Sequence, residues 1–138
     1  MVSAVFVDTS FFIAMLDARD SLHARARKLA VLLNTERALM VTSDAIILEL
    51  GNYFARSPLR SHAIDWICVL RDGDGWEIVS VTRPLMLRGE KLYREFSDKT
   101  WSLTDCVSME VMRARDISRV ATIDIHFEQA GFSALLRP

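Results

Sequence analysis

Ala4-Val5-Phe6-Val7-Asp8-Thr9-Ser10-Phe11-Phe12-Ile13-Ala14-Met15-Leu16 opens the chain and decides its fold class. Ala4–Val7 is a continuous run of small, β-branched and aromatic side chains, the composition of a strand buried on both faces. It stops at Asp8-Thr9-Ser10, three residue types that cap helices, and Phe11–Leu16 continues as a short buried helix. A strand covered on both sides and passing straight into a helix belongs to a mainly parallel α/β sheet.

The same alternation repeats along the chain. A second helix is expected from Leu22 to about Leu33, a second strand at Leu39-Met40-Val41 closed by Thr42-Ser43, and a helix over Asp44–Arg56. Ser57-Pro58 reads as a cap with proline at the first helical position of a helix reaching Leu70, and Asp72-Gly73-Asp74-Gly75 is a turn. Strands are expected at Glu77–Val81, Arg119–Ile123 and within Gly131–Leu136, and helices from Thr82 to about Phe96 and from Ser102 or Leu103 to Arg115.

The 138 residues match the common size of a single core, so residues 1–138 are expected to form one domain. A hydrophobic fraction of 51% rules out a disordered composition. The net charge of −1 argues against gripping nucleic acid through bulk positive charge; arginines outnumber lysines, which favours phosphate or carboxylate recognition or equally a salt-bridged surface. Cys68 and Cys106 are isolated, with neither the number nor the spacing of a disulfide framework or zinc site, so a reducing cytoplasm is the expected compartment. No signal region opens the sequence, and the longest apolar stretch, Phe11–Leu16, is far too short to cross a membrane.

Four acids carry the chemistry. Asp8 ends the first strand, where carboxyl-end sites of α/β sheets gather. Glu49 flanks the apolar stripe of Ile46, Ile47, Leu50 and Phe54, next to Tyr53. Asp105 shares a helix side with Met109 and Met112, and Asp124 closes Thr122-Ile123-Asp124. Each has a local explanation: a cap for Asp8, a snorkelling edge residue for Glu49, the capping box Ser102-x-x-Asp105, and a turn for Asp124. Taken together they point to a shared cation site, because converging carboxylates repel unless a cation compensates. Oxygen ligands without a thiolate or imidazole cluster favour Mg²⁺ or Mn²⁺. His126 could be a ligand but reads first as a packing or hydrogen-bonding residue of the following helix, and His23 and His62 as surface positions.

In this order, these residues resemble the PIN-domain nucleases, and specifically the toxins of VapBC toxin–antitoxin systems. The resemblance runs from Val5-Phe6-Val7-Asp8-Thr9-Ser10 to Ala121-Thr122-Ile123-Asp124-Ile125-His126-Phe127, and its most specific piece is Ser97-Asp98-Lys99-Thr100-Trp101-Ser102-Leu103-Thr104-Asp105-Cys106. It implies a three-layer α/β/α sandwich with a five-stranded parallel sheet and Mg²⁺- or Mn²⁺-dependent ribonuclease activity. Carried over position by position, it implies that Asp8, Glu49, Asp105 and Asp124 are the catalytic, metal-binding acids, with Thr9 and Thr104 orienting ligand or water. It also implies an RNA substrate, a homodimer and a cognate antitoxin protein. A phosphatase of the haloacid-dehalogenase type would need an aspartate where Ser10 stands, and a receiver domain one where Val81-Thr82 ends the third strand. A PIN nuclease of RNA processing or decay without an antitoxin, or a non-catalytic module using the acidic cleft, remain the alternative readings.

Overall fold

The apolar opening run forms strand β1 (Ala4–Val7), and helix α1 (Thr9–Leu16) follows it after one residue. The computed structural model describes residues 3–138. Among these the chain continues through α2 (His23–Thr35), β2 (Leu39–Ser43), α3 (Asp44–Tyr53), α4 (Arg60–Asp72) and β3 (Trp76–Val79). It ends with α5 (Arg83–Glu95), α6 (Leu103–Ala114), β4 (Arg119–Ala121), α7 (Ile125–Gln129) and β5 (Ser133–Ala134). The sheet has five strands in the order β3-β2-β1-β4-β5, every pairing parallel. β1 is the central strand, which is why Val5, Phe6 and Val7 are fully buried.

Strand order assigns the layers. The chain steps from β1 to β2 to β3 in one direction, then returns across the sheet to β4 and β5. Right-handed parallel crossovers then put α1–α4 on one face and α5–α7 on the other, giving a three-layer α/β/α sandwich. Packing agrees: α1 meets α2 and α3, α3 meets α4, and α6 meets α5 and α7. Helices α3 and α6 also touch, and elements on opposite faces can meet only past the sheet's boundary. In the first layer, Phe12 of α1 packs edge-on to Trp66 of α4 (centroids 5.5 Å apart) and against Trp76 of β3 (5.7 Å).

Several element boundaries differ from the sequence expectation, each for a reason of pairing or turn geometry. The third strand is Trp76–Val79 rather than Glu77–Val81, because β2 offers partners from Met40 to Ser43. The fourth stops at Ala121 rather than Ile123, since β1 ends at Val7, the partner of Ala121. Ser57-Pro58 does not start a helix. The Ser57 hydroxyl accepts from the Leu59 N–H, making a turn, and α4 begins at Arg60. His23 is half-buried rather than a plain surface position, its Nδ1 lying 2.7 Å from the Ala14 carbonyl.

The α5–α6 pair is the closest helix packing in the second layer, and Gly89 permits it. A Cβ at Gly89 would lie 2.6 Å from Val107 Cγ2 and 3.2 Å from Val107 Cα. The β-branched Val107 has essentially one helical rotamer and cannot swing away. Gly89→Ala gains about 1 kcal/mol of helix propensity but meets an overpacking cost of about 1–3 kcal/mol. The expected outcome is a net loss of stability, seen as a melting temperature several degrees lower. An equal or higher melting temperature would show that α5 and α6 separate freely.

Candidate active site

Connections leave β1 and β4 in opposite directions, so the crevice beyond their carboxyl ends is the topological switch point of this sheet, the place where open α/β sheets bind ligands. Asp8 follows β1 and Thr122 follows β4. The Asp8 N–H donates to the Ala121 carbonyl (3.2 Å), carrying the sheet one residue further. The buried Thr122 hydroxyl then donates to Asp8 Oδ2 (2.7 Å), with the Ser10 hydroxyl 3.4 Å from the same oxygen. Ser10 Oγ in turn accepts from the Ile123 N–H (3.2 Å), so both strand ends are laced around one carboxylate.

Asp8 stands at the N-cap position of α1 yet makes no side-chain capping bond. The local explanation for this acid therefore fails. It is only 7% exposed, and its pKa is pushed up from the ordinary 3.8 to about 7. Burial is the main cause. The Thr122 hydroxyl and the Thr9 N–H oppose it, while the charges of Asp105 and Glu49 add to it.

The other acids reach the crevice from three elements. Glu49 lies on the exposed side of α3, and its Oε1 accepts a short hydrogen bond from the buried Thr9 hydroxyl, next to Asp8. Ser43 caps α3 through the Ile46 N–H and so sets the helix at the end of β2. Asp105, also buried, completes the capping box of α6: Ser102 Oγ accepts from the Asp105 N–H (2.9 Å), and Asp105 Oδ2 accepts from the Ser102 N–H (3.0 Å). Asp124 caps α7, its Oδ1 accepting from the His126 N–H (2.9 Å). Asp105 does the capping work the sequence suggested and Glu49 is exposed at the stripe's edge as its local reading had it, while Asp124, read as a turn residue, caps α7.

His126 joins these two. Its Nδ1 lies 2.9 Å from Asp105 Oδ2 and 3.2 Å from Asp124 Oδ1. Ionised carboxylates only accept, so Nδ1 carries the proton and is shared between them. On the other side of the ring, Nε2 lies 3.1 Å from the Thr100 hydroxyl. Sequence reasoning took His126 as a packing or hydrogen-bonding residue; Asp124 is its neighbour at the α7 N-cap, but the sequence had no signal for Asp105, which meets it only because α6 and α7 pack together. The hydroxyl tied into this group is that of Thr100, whereas Thr104 is half-buried and outside the hydrogen bonds described here.

The donor chemistry fits a hard divalent cation. Among the described residues, one oxygen each of Asp105 and Asp124 and a ring nitrogen of His126 lie within 4.8 Å of one another, a group that does not include Asp8 or Glu49. With the His126 Nδ1 proton bonded to both acids, it is the carboxylate oxygens, not the imidazole, that suit such a cation. The charges of both Asp105 and Glu49 act on Asp8, Asp105 the more strongly. A carboxylate buried among like charges ionises readily only with a cation beside it.

With this fold and crevice, the comparison with known proteins is direct. The PIN domain family matches residues 5–133, and the chain belongs to that family. It is 27% identical over 133 residues to the 23S rRNA-specific endonuclease VapC20 of Mycobacterium tuberculosis, covering 93% of this chain and 95% of that protein. The crystal structure of M. tuberculosis VapC20, described as a sarcin-ricin loop cleaving toxin, superposes with a TM-score of 0.84 at 25% identity, covering 94% of this chain and 96% of that one. VapBC2 from Rickettsia felis, bound to a DNA fragment from its promoter, shares the fold at TM-score 0.70 and 12% identity, covering 95% and 96% of the two chains. FitAcB from Neisseria gonorrhoeae shares it at 0.64 and 15%, covering 94% and 95%.

The pKa of Asp8 has a measurable consequence. A carboxyl raised in the folded state contributes stability that is full below its unfolded pKa and is lost as pH rises through the folded value. The window runs from 3.8 to about 7 and corresponds to on the order of 4 kcal/mol at most. Metal-free protein is therefore expected to melt at a lower temperature at pH 8 than at pH 5.5, and Asp8→Asn to flatten that slope. Identical slopes for wild type and Asp8→Asn in a calorimetric pH series would contradict the assignment.

Proposed function

We propose that the chain is a metal-dependent endoribonuclease, hydrolysing RNA phosphodiester bonds as the toxin of a type II toxin–antitoxin pair. The observation that carries this reading is Asp8, a buried carboxylate at the switch point with no capping role and with Asp105 and Glu49 beside it. Membership of the PIN family and likeness to the rRNA endonuclease VapC20 favour RNA as the substrate. Toxin–antitoxin structures among its fold relatives favour a cognate antitoxin as partner. On this reading residues 1–138 are one cytoplasmic nuclease domain acting as a homodimer. Among the described residues no helix is long and apolar enough to cross a membrane.

Asp8 and Asp105 would hold Mg²⁺ or Mn²⁺ directly, with Glu49 and Asp124 binding it directly or through water. A cation held there would supply Lewis acidity toward the scissile phosphate and toward a water nucleophile. The chain's own work is to hold the oxygen ligands still. Thr122 and Ser10 fix one oxygen of Asp8, Thr9 fixes one of Glu49, and the Ser102 N–H with His126 fix Oδ2 of Asp105. Such preorganisation keeps the carboxylates from collapsing onto other donors before substrate arrives.

The test is cleavage of RNA by purified, antitoxin-free protein with Mg²⁺ or Mn²⁺ and with chelator. Wild type is expected to cut only with metal, and Asp105→Asn to lose on the order of 100-fold or more, as removal of an electrostatic group from an active site does. Asn keeps an oxygen to accept from Ser102, so folding stability should fall by less than the roughly 0.5–2 kcal/mol of a lost cap. Full cleavage in Asp105→Asn, or none by wild type with either metal, would sink the proposal.

A further inference from the structure

Beside the acidic crevice lies a cavity of about 590 Å³ between the end of α5, the α5–α6 connection and the start of α6. Its size is that of a site for a small ligand or a single nucleotide unit. Three aromatic side chains line it: Tyr93, Phe96 and Trp101. Trp101 is buried and anchored, its indole N–H donating to Gln129 Oε1 (2.9 Å), and Phe96 leans on it with centroids 4.9 Å apart and planes at 33°. Phe96 and Tyr93 nevertheless keep 37% and 53% of their surface exposed. Arg94 and Lys99 line the same cavity against one acid, Glu90. Lys99 pairs with Asp98 at its own exposed turn, and among the described residues Arg94 forms no ion pair.

Thr100 belongs to both places. It lines the cavity, and its hydroxyl meets Nε2 of the same His126 whose Nδ1 is shared by Asp105 and Asp124. Thr100 thus separates the acids from the cavity, so an RNA strand with its phosphate at the acids can reach an aromatic and cationic space by crossing this one residue. The larger-scale charge of the crevice is negative and repels a phosphate backbone, so cations are needed on its approach. Exposed aromatic faces beside cations are how proteins hold unpaired bases. A second cavity, about 440 Å³ around Phe11, Trp66 and Trp76, lies by the strand starts near Met40 and Gly75, away from the acids.

Resting on the ribonuclease reading, we infer that the Tyr93–Phe96–Lys99 cavity is a subsite for one unstacked nucleobase of single-stranded RNA adjacent to the scissile bond, with Arg94 holding the flanking phosphate. Tyr93 supplies the stacking face, and the Phe96–Trp101 pair supplies a rigid wall.

The experiment is steady-state cleavage of a single-stranded RNA in Mg²⁺ by wild type, Tyr93→Ala and Arg94→Ala, repeated with RNAs made abasic at one position at a time. Tyr93 is exposed enough that its removal leaves the fold intact, which a matching melting temperature checks. Tyr93→Ala is expected to raise KM by roughly 5- to 150-fold, the range of one lost base stack, with a much smaller change in kcat. One abasic position near the cut should impose the same loss on wild type and none further on Tyr93→Ala. Arg94→Ala should raise KM for every RNA and reduce its dependence on salt. If wild type cleaves and neither variant changes KM, the subsite falls while the nuclease reading stands. If the variants instead release a co-expressed antitoxin with KM unchanged, the cavity belongs to a protein partner and the inference is overturned. Wild type that neither binds nor cuts RNA removes both.

Discussion

The hydrogen bond from Thr122 to Asp8 ties together the two strand ends on which the candidate site is built. β1 and β4 are neighbours whose connections depart in opposite directions, so a crevice must open where they end. A buried carboxylate at that spot is costly to ionise, and the Thr122 hydroxyl, fully buried itself, is the strongest single group offsetting that cost. Removing it leaves Asp8 with a heavier desolvation burden and the crevice without its bridge. The remaining acids are arranged around this bond from α3, α6 and α7.

The site divides the labour between charge and orientation. Every acid has at least one oxygen held by a short-range donor: hydroxyls for Asp8 and Glu49, and backbone N–H groups with His126 for Asp105 and Asp124. Capping and ligand binding are compatible because both favour an ionised carboxylate at a helix N-terminus. Asp105 takes the Ser102 N–H and the His126 ring on the same oxygen, Oδ2. His126 shares one proton between two carboxylates, a partial positive charge where a cation would offset the same repulsion. The α5–α6 contact made possible by Gly89 carries this arrangement outward, because α6 brings Asp105 to the crevice and its first turn borders the aromatic cavity.

Local roles sort the four acids differently from their placement along the chain. All four had a local explanation in the sequence, but Asp105 and Asp124 do capping work, whereas Asp8 does none. Glu49, a stripe-edge residue in the helical pattern, is exposed and yet directed at Thr9. The acid with the fewest local reasons to exist is the one with the strongest electrostatic signature.

The sequence by itself determined the parallel α/β class, because Ala4–Val7 and the later apolar runs lack the polar alternation of a half-exposed sheet. It also marked the four acids, since lone carboxylates beside apolar segments are conspicuous. Strand ends were beyond it: β4 stops at Ala121 because β1 offers no partner past Val7, a fact of register and not of composition. So were Thr122 to Asp8, His126 to Asp105, and Thr100 to His126, pairs separated by 114, 21 and 26 positions. Such contacts depend on which strands lie side by side and how closely two helices approach. No local pattern encodes them, and only tertiary packing brings them within hydrogen-bonding reach.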